Sequence, residues 1–350
     1  MHRIVLLSLI LVAACSLPPV RPAETAGPES LTVMTHDSFA ASQTVIADFE
    51  RENNAKVTFL QGGDAGAALN KAILTKDAPL ADVFYGVDNT FLSRALDADI
   101  FEPYQSPALK EVYVDLQLDP SNRALPVDLA DVCINYDKAY FSAHSLPIPV
   151  SLEELTRPEY RSLLAVENPA TSSPGLAFLL ATVKHFGDPG YIGYWKDLRQ
   201  NGLVVVDGWE TAYYTNFSGS SGRGPQPMVV SYATSPAAEV MFATSPLADA
   251  PTASILEPDT CFRQIEFVGI LKGTQHRRLA EIFVDFMLGL EFQSDMPGQM
   301  FVYPVIRQAG LPDAFNKYAH PPAQPASLAP DEIAQNREAW IAAWTEAVLR

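Results

Sequence analysis

The feature of this sequence that most restricts its fold is a repeated order of short apolar strand, polar turn and amphipathic helix. Leu31 to Thr35 alternates and stops at Asp37-Ser38-Phe39, and residues 43–52 then place Val45, Ile46 and Phe49 on one helical face. Lys56 to Leu60 reads as a second strand ending at the Gly62-Gly63 turn. Ala65, Leu69, Ala72, Ile73 and Lys76 follow at three- and four-residue spacing, which predicts a helix. Ala81 to Tyr85 is a third strand, and Asp88-Asn89 is placed to cap a helix carrying Phe91, Leu92 and Leu96. Strands alternating with helices predict an α/β architecture with a parallel sheet covered on both faces. Ligands of such sheets sit beyond the strand ends, where Asp37, Ser38, Asp88 and Asn89 are expected to gather.

Val132 to Tyr136 is another strand, and the order restarts after Pro147 and Pro149. Leu163 to Val166 leads into a hydroxyl-rich loop, Leu203 to Val206 leads into Asp207-Gly208-Trp209, and Met228 to Ser231 leads into Tyr232. These segments predict a second α/β unit. Phe262 to Leu271 is a long alternating strand, followed by a helix with Leu279, Ile282, Phe283 and Phe286 and a tail that rejoins the first unit. Residues 304–330 hold six prolines and read as an extended surface connection. In the last helix, 331–349, Ile333, Arg337, Trp340, Ile341, Trp344 and Val348 form one stripe that reads as a brace.

The hydroxyl-rich loop is Asn168-Pro169-Ala170-Thr171-Ser172-Ser173-Pro174-Gly175. It delivers a helix start with Ser173 as cap and Pro174 at the first helical position. Free N–H groups and partial positive charge suit such a terminus to a phosphate, a carboxylate or a polar ligand edge; an ordinary capped helix is the plainer reading. Thr171-Ser172-Ser173, Trp209 and Tyr232 each follow an apolar strand, so they are expected on one edge, facing the edge that holds Asp37 and Asp88. Two facing polar edges describe a cleft. Trp209 and Tyr232 offer π faces to a heteroaromatic ring or a cation; for Trp209 core packing weighs equally.

The N-terminus bears on location. His2 and Arg3 precede an apolar run from Ile4 to Ala14, too short to span a bilayer, which reads as a secretion signal over 1–14. Val12-Ala13-Ala14-Cys15 resembles the bacterial lipobox, which implies lipid on Cys15 and makes 15–30, with four prolines, a stiff tether. The formal net charge of −17 argues against nucleic acid and against an anionic membrane surface, and favours a cationic ligand. Cys133 and Cys261 remain; in an exported chain an isolated pair reads as a disulfide before a metal site.

Six stretches in order carry a family resemblance: Thr35-His36-Asp37-Ser38-Phe39, residues 81–89, Thr171-Ser172-Ser173-Pro174-Gly175, Gly208-Trp209, Ser231-Tyr232-Ala233-Thr234-Ser235-Pro236 and Tyr303-Pro304-Val305. From about Leu31 to the C-terminus the chain resembles the thiamine-binding subunits of bacterial thiamine ABC importers. The resemblance implies a type 2 periplasmic-binding-protein fold, two α/β lobes joined by crossing hinge strands with a ligand cleft between them. Lobe 1 is expected over 31–130 with about 266–350, and lobe 2 over about 131–265. It implies a monomer without enzymatic activity or cofactor, whose partners are thiamine, thiamine phosphate or thiamine diphosphate and an ABC permease with its ATPase. The location implied is extracytoplasmic, in the periplasm or on the outer face of the cell membrane.

Carried over by position, Ser172, Ser173 and Gly175 would hold the hydroxyethyl or phosphate end, while Trp209, Tyr232 and Ser235 would line the ring pocket. Asp37, Ser38, Asp88 and Asn89 would stand on the first-lobe side. Phe301 replaces the family's tryptophan and keeps an apolar face. His36, Gln43 and Ala238 fall where the family has aromatics, which bears on ligand identity, and Tyr213 or Tyr214 would fill part of the gap.

Two other readings stay open. Adjacent Tyr213-Tyr214 resembles the phenolate pair of bacterial ferric-ion-binding proteins, although helical neighbours point about 100° apart and need an irregular backbone to converge. Thiamine-degrading transferases share the fold, with Cys133 in the place of a nucleophile and Glu266 in that of a base. Gly219 to Pro225 lacks the lysine of a nucleotide P-loop and reads as a surface hairpin. The lipobox reading generates a direct test: Cys15→Ser releases the protein from the membrane fraction on cell fractionation, and continued retention overturns it.

Overall fold

The computed structural model describes residues 27–221 and 223–350; the signal, Cys15 and most of the tether lie outside the described residues. Its strands are β1 (Glu29–Thr35), β2 (Ala55–Gln61), β3 (Val83–Asp88), β4 (Phe101–Glu102), β5 (Leu125–Asp137), β6 (Leu164–Glu167), β7 (Val204–Val206), β8 (Met228–Tyr232), β9 (Thr252–Ile255), β10 (Phe262–Leu271) and β11 (Tyr303–Pro304). They form one sheet in the order β2-β1-β3-β10-β5-β8-β6-β7, with β4 on β10 and both β9 and β11 on β5. The β2-β1-β3 and β8-β6-β7 groups are parallel, and the strands between them are antiparallel. Two α/β lobes thus share β5 and β10, which run side by side through both.

The long strands give this arrangement its cleft. β5 spans 13 residues, starting seven residues before the strand read from sequence, because Asp128 and Asp131 interrupt the apolar run that marks a buried strand. Two bulges flank Phe267, the residue after Glu266: the register of β10 skips Gly86 on β3 and Val127 on β5. Gly86 has φ +108°, and a Cβ there would lie 2.5 Å from the His36 ring. Such bulges re-aim side chains at the rim of a sheet.

The C-terminal helix Pro330–Val348 ties the halves together. Trp344 packs edge-on against Trp195 of the helix Gly190–Gln200, with ring centroids 5.5 Å apart. Arg337, buried, donates to the Thr90 carbonyl in the turn after β3 and to Ser93 Oγ in the helix Leu92–Asp97. The Pro-rich stretch departs from the extended connection expected. It contains the helix Asp313–Tyr318, which begins after Pro312 and packs on Ser235–Met241. Proline ahead of a first turn costs no intrahelical hydrogen bond.

Cys133 in β5 and Cys261 just before β10 are joined by a disulfide that closes 128 residues of sequence separation. Restricting the unfolded chain over so long a loop stabilises by about 2–5 kcal/mol. Replacing both cysteines by alanine is expected to lower the urea midpoint accordingly while the sheet still forms; an unchanged midpoint removes the crosslink from the stability of the fold.

Candidate functional site

Between the lobes lies a cavity of about 1020 Å³, at the upper end of small-molecule sites. Its floor is the crossing of β5 and β10. Asp128 pairs with Glu266 and Ala130 with Gln264 across the two strands, so all four side chains rise on one face and line the cavity. Tyr85 reaches in from β3 and its hydroxyl contacts both acids, 2.5 Å from Asp128 Oδ2 and 3.0 Å from Glu266 Oε2. His36 Nε2 stands 3.6 Å from Glu266 Oε1. Burial, with the neighbouring Glu266 carboxylate, pushes the Asp128 carboxyl well above the usual carboxylate range.

The second lobe supplies an aromatic wall. Trp209 stacks on Tyr213 at 4.9 Å and 16°, with Tyr214 edge-on and Tyr232 tilted at 6.0 Å. Its indole N–H donates to Ser231 Oγ at 2.8 Å, and Ser231 in turn meets Ser235 Oγ at 3.0 Å. Segment Thr211–Asn216 is a π-helical turn. That wide turn lets consecutive Tyr213 and Tyr214 both line the cavity, the irregular backbone that the phenolate reading required. Yet the Tyr213 hydroxyl bonds Glu239, and burial with Glu239 pushes the phenol well above its ordinary range. A metal-binding phenolate needs the opposite shift. Among the described residues no group of three or more His, Cys, Asp or Glu is arranged to hold a metal ion.

Asp64 joins the lobes. It caps the helix Ala65–Leu74 through the Ala65 N–H, and it also accepts from the Ser173 N–H at 3.2 Å and the Trp209 N–H at 3.0 Å. A backbone bond from the Ala67 N–H to the Thr171 carbonyl lies alongside. Gly66 and Gly208 permit this approach: a Cβ on Gly66 would lie 2.9 Å from the Thr171 carbonyl. Donors expected to be free at the second-lobe helix start are therefore already occupied by a first-lobe carboxylate.

The residues singled out from sequence divide into two groups. His36, Ser38, Ser173, Trp209, Tyr213, Tyr232, Ser235 and Phe301 line the cavity. Asp88, fully buried, accepts through Oδ1 from the Thr90 N–H, the Thr90 hydroxyl and the Phe91 N–H. Asn89 clips β3 to β10 through the Ile265 N–H and the Arg263 carbonyl. Ser172, rather than Ser173, is the helix cap, accepting from the Gly175 N–H. Gly175 lies so tightly on β6 that a Cβ would sit 2.6 Å from the Glu167 carbonyl. Asp37 is half-buried beside the cleft, its N–H bonded to the Gly63 carbonyl. Cys133 is bonded to Cys261, fully buried and packed with Ala233, so it presents no thiol to Glu266.

Sequence reading did not single out Asp64, Asp128, Gln264, Glu210, Glu239 or Phe242, all of which line the cavity. The spacing of Gln264 and Glu266 along an alternating strand was the available signal for one face of the floor. Gly219 and Arg223 of the supposed surface hairpin also line the cavity.

Comparison with known proteins places this geometry. The profile of a family described as bacterial extracellular solute-binding protein matches residues 78–336. A thiamine-binding periplasmic protein of Brucella suis biovar 1 (strain 1330) is 29% identical over the whole of both chains. That of Escherichia coli (strain K12) is 30% identical, over 91% of this chain and 94% of its own. A solved periplasmic thiamin binding protein superposes with a TM-score of 0.82 at 29% identity, over 96% of this chain and all of its own.

The buried acids generate a pH dependence. Burial, opposed by the Thr90 hydrogen bonds and reinforced by Glu266, pushes Asp88 from 3.8 up to about 7. Between those values the folded chain keeps a proton that the unfolded chain has lost, so this group makes stability fall as pH rises through the window. Asp88→Asn removes that dependence, and in thermal melts the variant gains on the wild type between about pH 4 and pH 7 and no further above it. A constant difference across that range excludes Asp88 as its source.

Proposed function

We propose that this chain, which belongs to the bacterial extracellular solute-binding protein family, closes its lobes over thiamine or a phosphate ester of thiamine and delivers it to an ABC permease driven by a cytoplasmic ATPase. The observation that carries the reading is the pairing of an aromatic wall with an acidic floor. Trp209, Tyr213 and Tyr232 face a cavity lined by Asp64, Asp128, Glu210, Glu239 and Glu266, while Arg223 is its one guanidinium among the described residues. Such a site favours a flat, positively charged heteroaromatic, and each cation–π contact contributes about 0.5–2 kcal/mol. The full-length thiamine-binding relatives support the same class of cargo.

Transport follows from a population shift. A cargo touching Trp209 and Tyr232 on one lobe and His36 and Ser38 on the other binds the closed form better than the open one, and so favours it. The thiazolium lies against the Trp209 face, and its hydroxyethyl or phosphate end points toward the rim near Arg223. The helix start at Ser172 and Ser173 is available to a phosphate only if Asp64 lets go. Lipid on Cys15 tethers the monomer outside the cell membrane.

Calorimetric titration of thiamine, then thiamine phosphate, into protein stripped of cargo by unfolding and refolding tests the reading. Submicromolar binding with quenched Trp209 fluorescence is expected. Trp209→Ala weakens it by up to about a hundredfold, the loss of one stacked face worth about 1–3 kcal/mol. No heat from a folded sample with either compound removes thiamine as cargo; an unchanged affinity in the variant removes Trp209 from the pocket.

A further inference from the structure

We infer that the cleft exchanges a proton for the positive charge of its cargo: Asp128 and Glu266 share one proton before cargo binds and surrender it to solvent as the cation arrives. This rests on the thiamine reading of the cleft, since the thiazolium carries a permanent charge. Asp128 and Glu266 face each other in register on β5 and β10; Asp128 is wholly buried, and Glu266 is 7% exposed. One hydroxyl, that of Tyr85, lies 2.5 Å from Asp128 Oδ2 and 3.0 Å from Glu266 Oε2. A phenol has a single hydrogen to donate. Both contacts are therefore hydrogen bonds only when one acid is protonated and donates to the phenolic oxygen.

The groups around the pair leave it without a counter-charge. Tyr85 and Asp88 stand on β3, and Asp88 raises the local negative charge by acting on Glu266. His36, just past β1, brings Nε2 to 3.6 Å from Glu266 Oε1. Tyr232 of β8 is within electrostatic reach of Glu266, Asp64, Asp88 and Glu167. Tyr303 of β11 is in register with Leu129, on the far face that carries Asp131 and Arg263. Two crowded acids without a cation keep one proton, which belongs to the pair rather than to either residue. Burial, reinforced by Glu266, accordingly holds the Asp128 carboxyl well above the usual carboxylate range. The aromatic wall brings the cargo's charge close: Tyr232 lies against Trp209, ring centroids 6.0 Å apart, and burial, then Glu266, pushes the Tyr232 hydroxyl well above its ordinary range. A thiazolium on these rings supplies the opposite charge that favours both acids ionised. The pair goes from one negative charge to two, the cargo brings one positive charge and the proton goes to water, so the net charge of the cleft is unchanged.

Calorimetry on the full chain at about pH 6, in buffers of different ionisation enthalpy, counts the protons released on binding. Thiamine is expected to release about one proton more than its isostere with an uncharged thiophene ring, which shares the pyrimidine. Thiamine affinity rises with pH by up to about tenfold per unit until the free pair has lost its proton. Asp128→Asn abolishes the release and flattens that rise, whereas His36→Gln and Asp88→Asn, which remove the other candidate proton sources, keep the release whatever they do to affinity. Equal release by thiamine and the isostere, no release by either, or undiminished release from Asp128→Asn overturns the inference while leaving thiamine as cargo. Where thiamine does not bind, infrared spectra of the free protein at neutral pH decide. A protonated-carboxyl component that is lost in Asp128→Asn upholds the shared proton, and spectra of wild type and variant without that difference overturn it.

Discussion

Burying Asp128 and Glu266 side by side beneath the cleft costs free energy that the surrounding fold offsets only in part. Tyr85 gives them one shared donor, and His36 approaches from the end of β1. Much of the local architecture serves that pair. The bulge at Gly86 makes space for His36, and the bulge at Val127 shifts β5 at the position next to Asp128. On the opposite face of the same strands, Asp131 is met by Arg263 in a two-pronged ion pair. Among the described residues no lysine or arginine pairs with Asp128 or Glu266 on the face turned to the cleft. An acid left without a counter-charge at the base of a cavity is an unfinished interaction, and a cationic or amino-bearing cargo finishes it.

Asp64 shows the complementary case, an acid whose needs are met by the opposite lobe. Burial pushes its carboxyl up, while the Trp209, Ser172 and Ser173 donors work against that shift. Opening the cleft along this edge returns the carboxylate to water and exposes the helix start it covers. The contact therefore favours closure without being large, since each hydrogen bond exchanged with water contributes only about 0.5–1.5 kcal/mol. A weak latch of this kind leaves the cargo to decide the balance.

Sequence was most informative where periodicity is clean. The parallel strands at both ends of the sheet, the helix beginning near Ser173 and the tryptophan stripe of the last helix all follow from apolar spacing. So do four cleft-lining side chains, Ser38, Ser173, Trp209 and Tyr232, because polar residues just past apolar strands lie at a sheet edge; His36, Tyr213, Ser235 and Phe301 were indicated by the family resemblance alone. The floor was obscure for the opposite reason: Asp128 and Asp131 sit inside a strand, where acids break the pattern used to find it. Asp88 and Asn89 look like ligand residues by position, yet a carboxylate or amide after a strand is equally apt to serve the backbone: Asp88 caps the next turn and Asn89 clips β3 to β10. Asp64 could not be recognised from spacing, since its partners lie more than a hundred residues away across the cleft.

Affinity at the floor and closure thus rest on different residues. β5 and β10 belong to both lobes, so contacts with Asp128, Gln264 and Glu266 exist whether the cleft is open or shut. Such contacts raise affinity for both forms and move no equilibrium between them. Only groups carried by one lobe or the other, Trp209 and Tyr232 against His36 and Ser38, gain contacts as the lobes approach. A cargo that suits the floor but is too small to span from floor to aromatic wall would bind and leave the cleft open. The full ligand, anchored at the floor and stacked on the wall, couples recognition to closure.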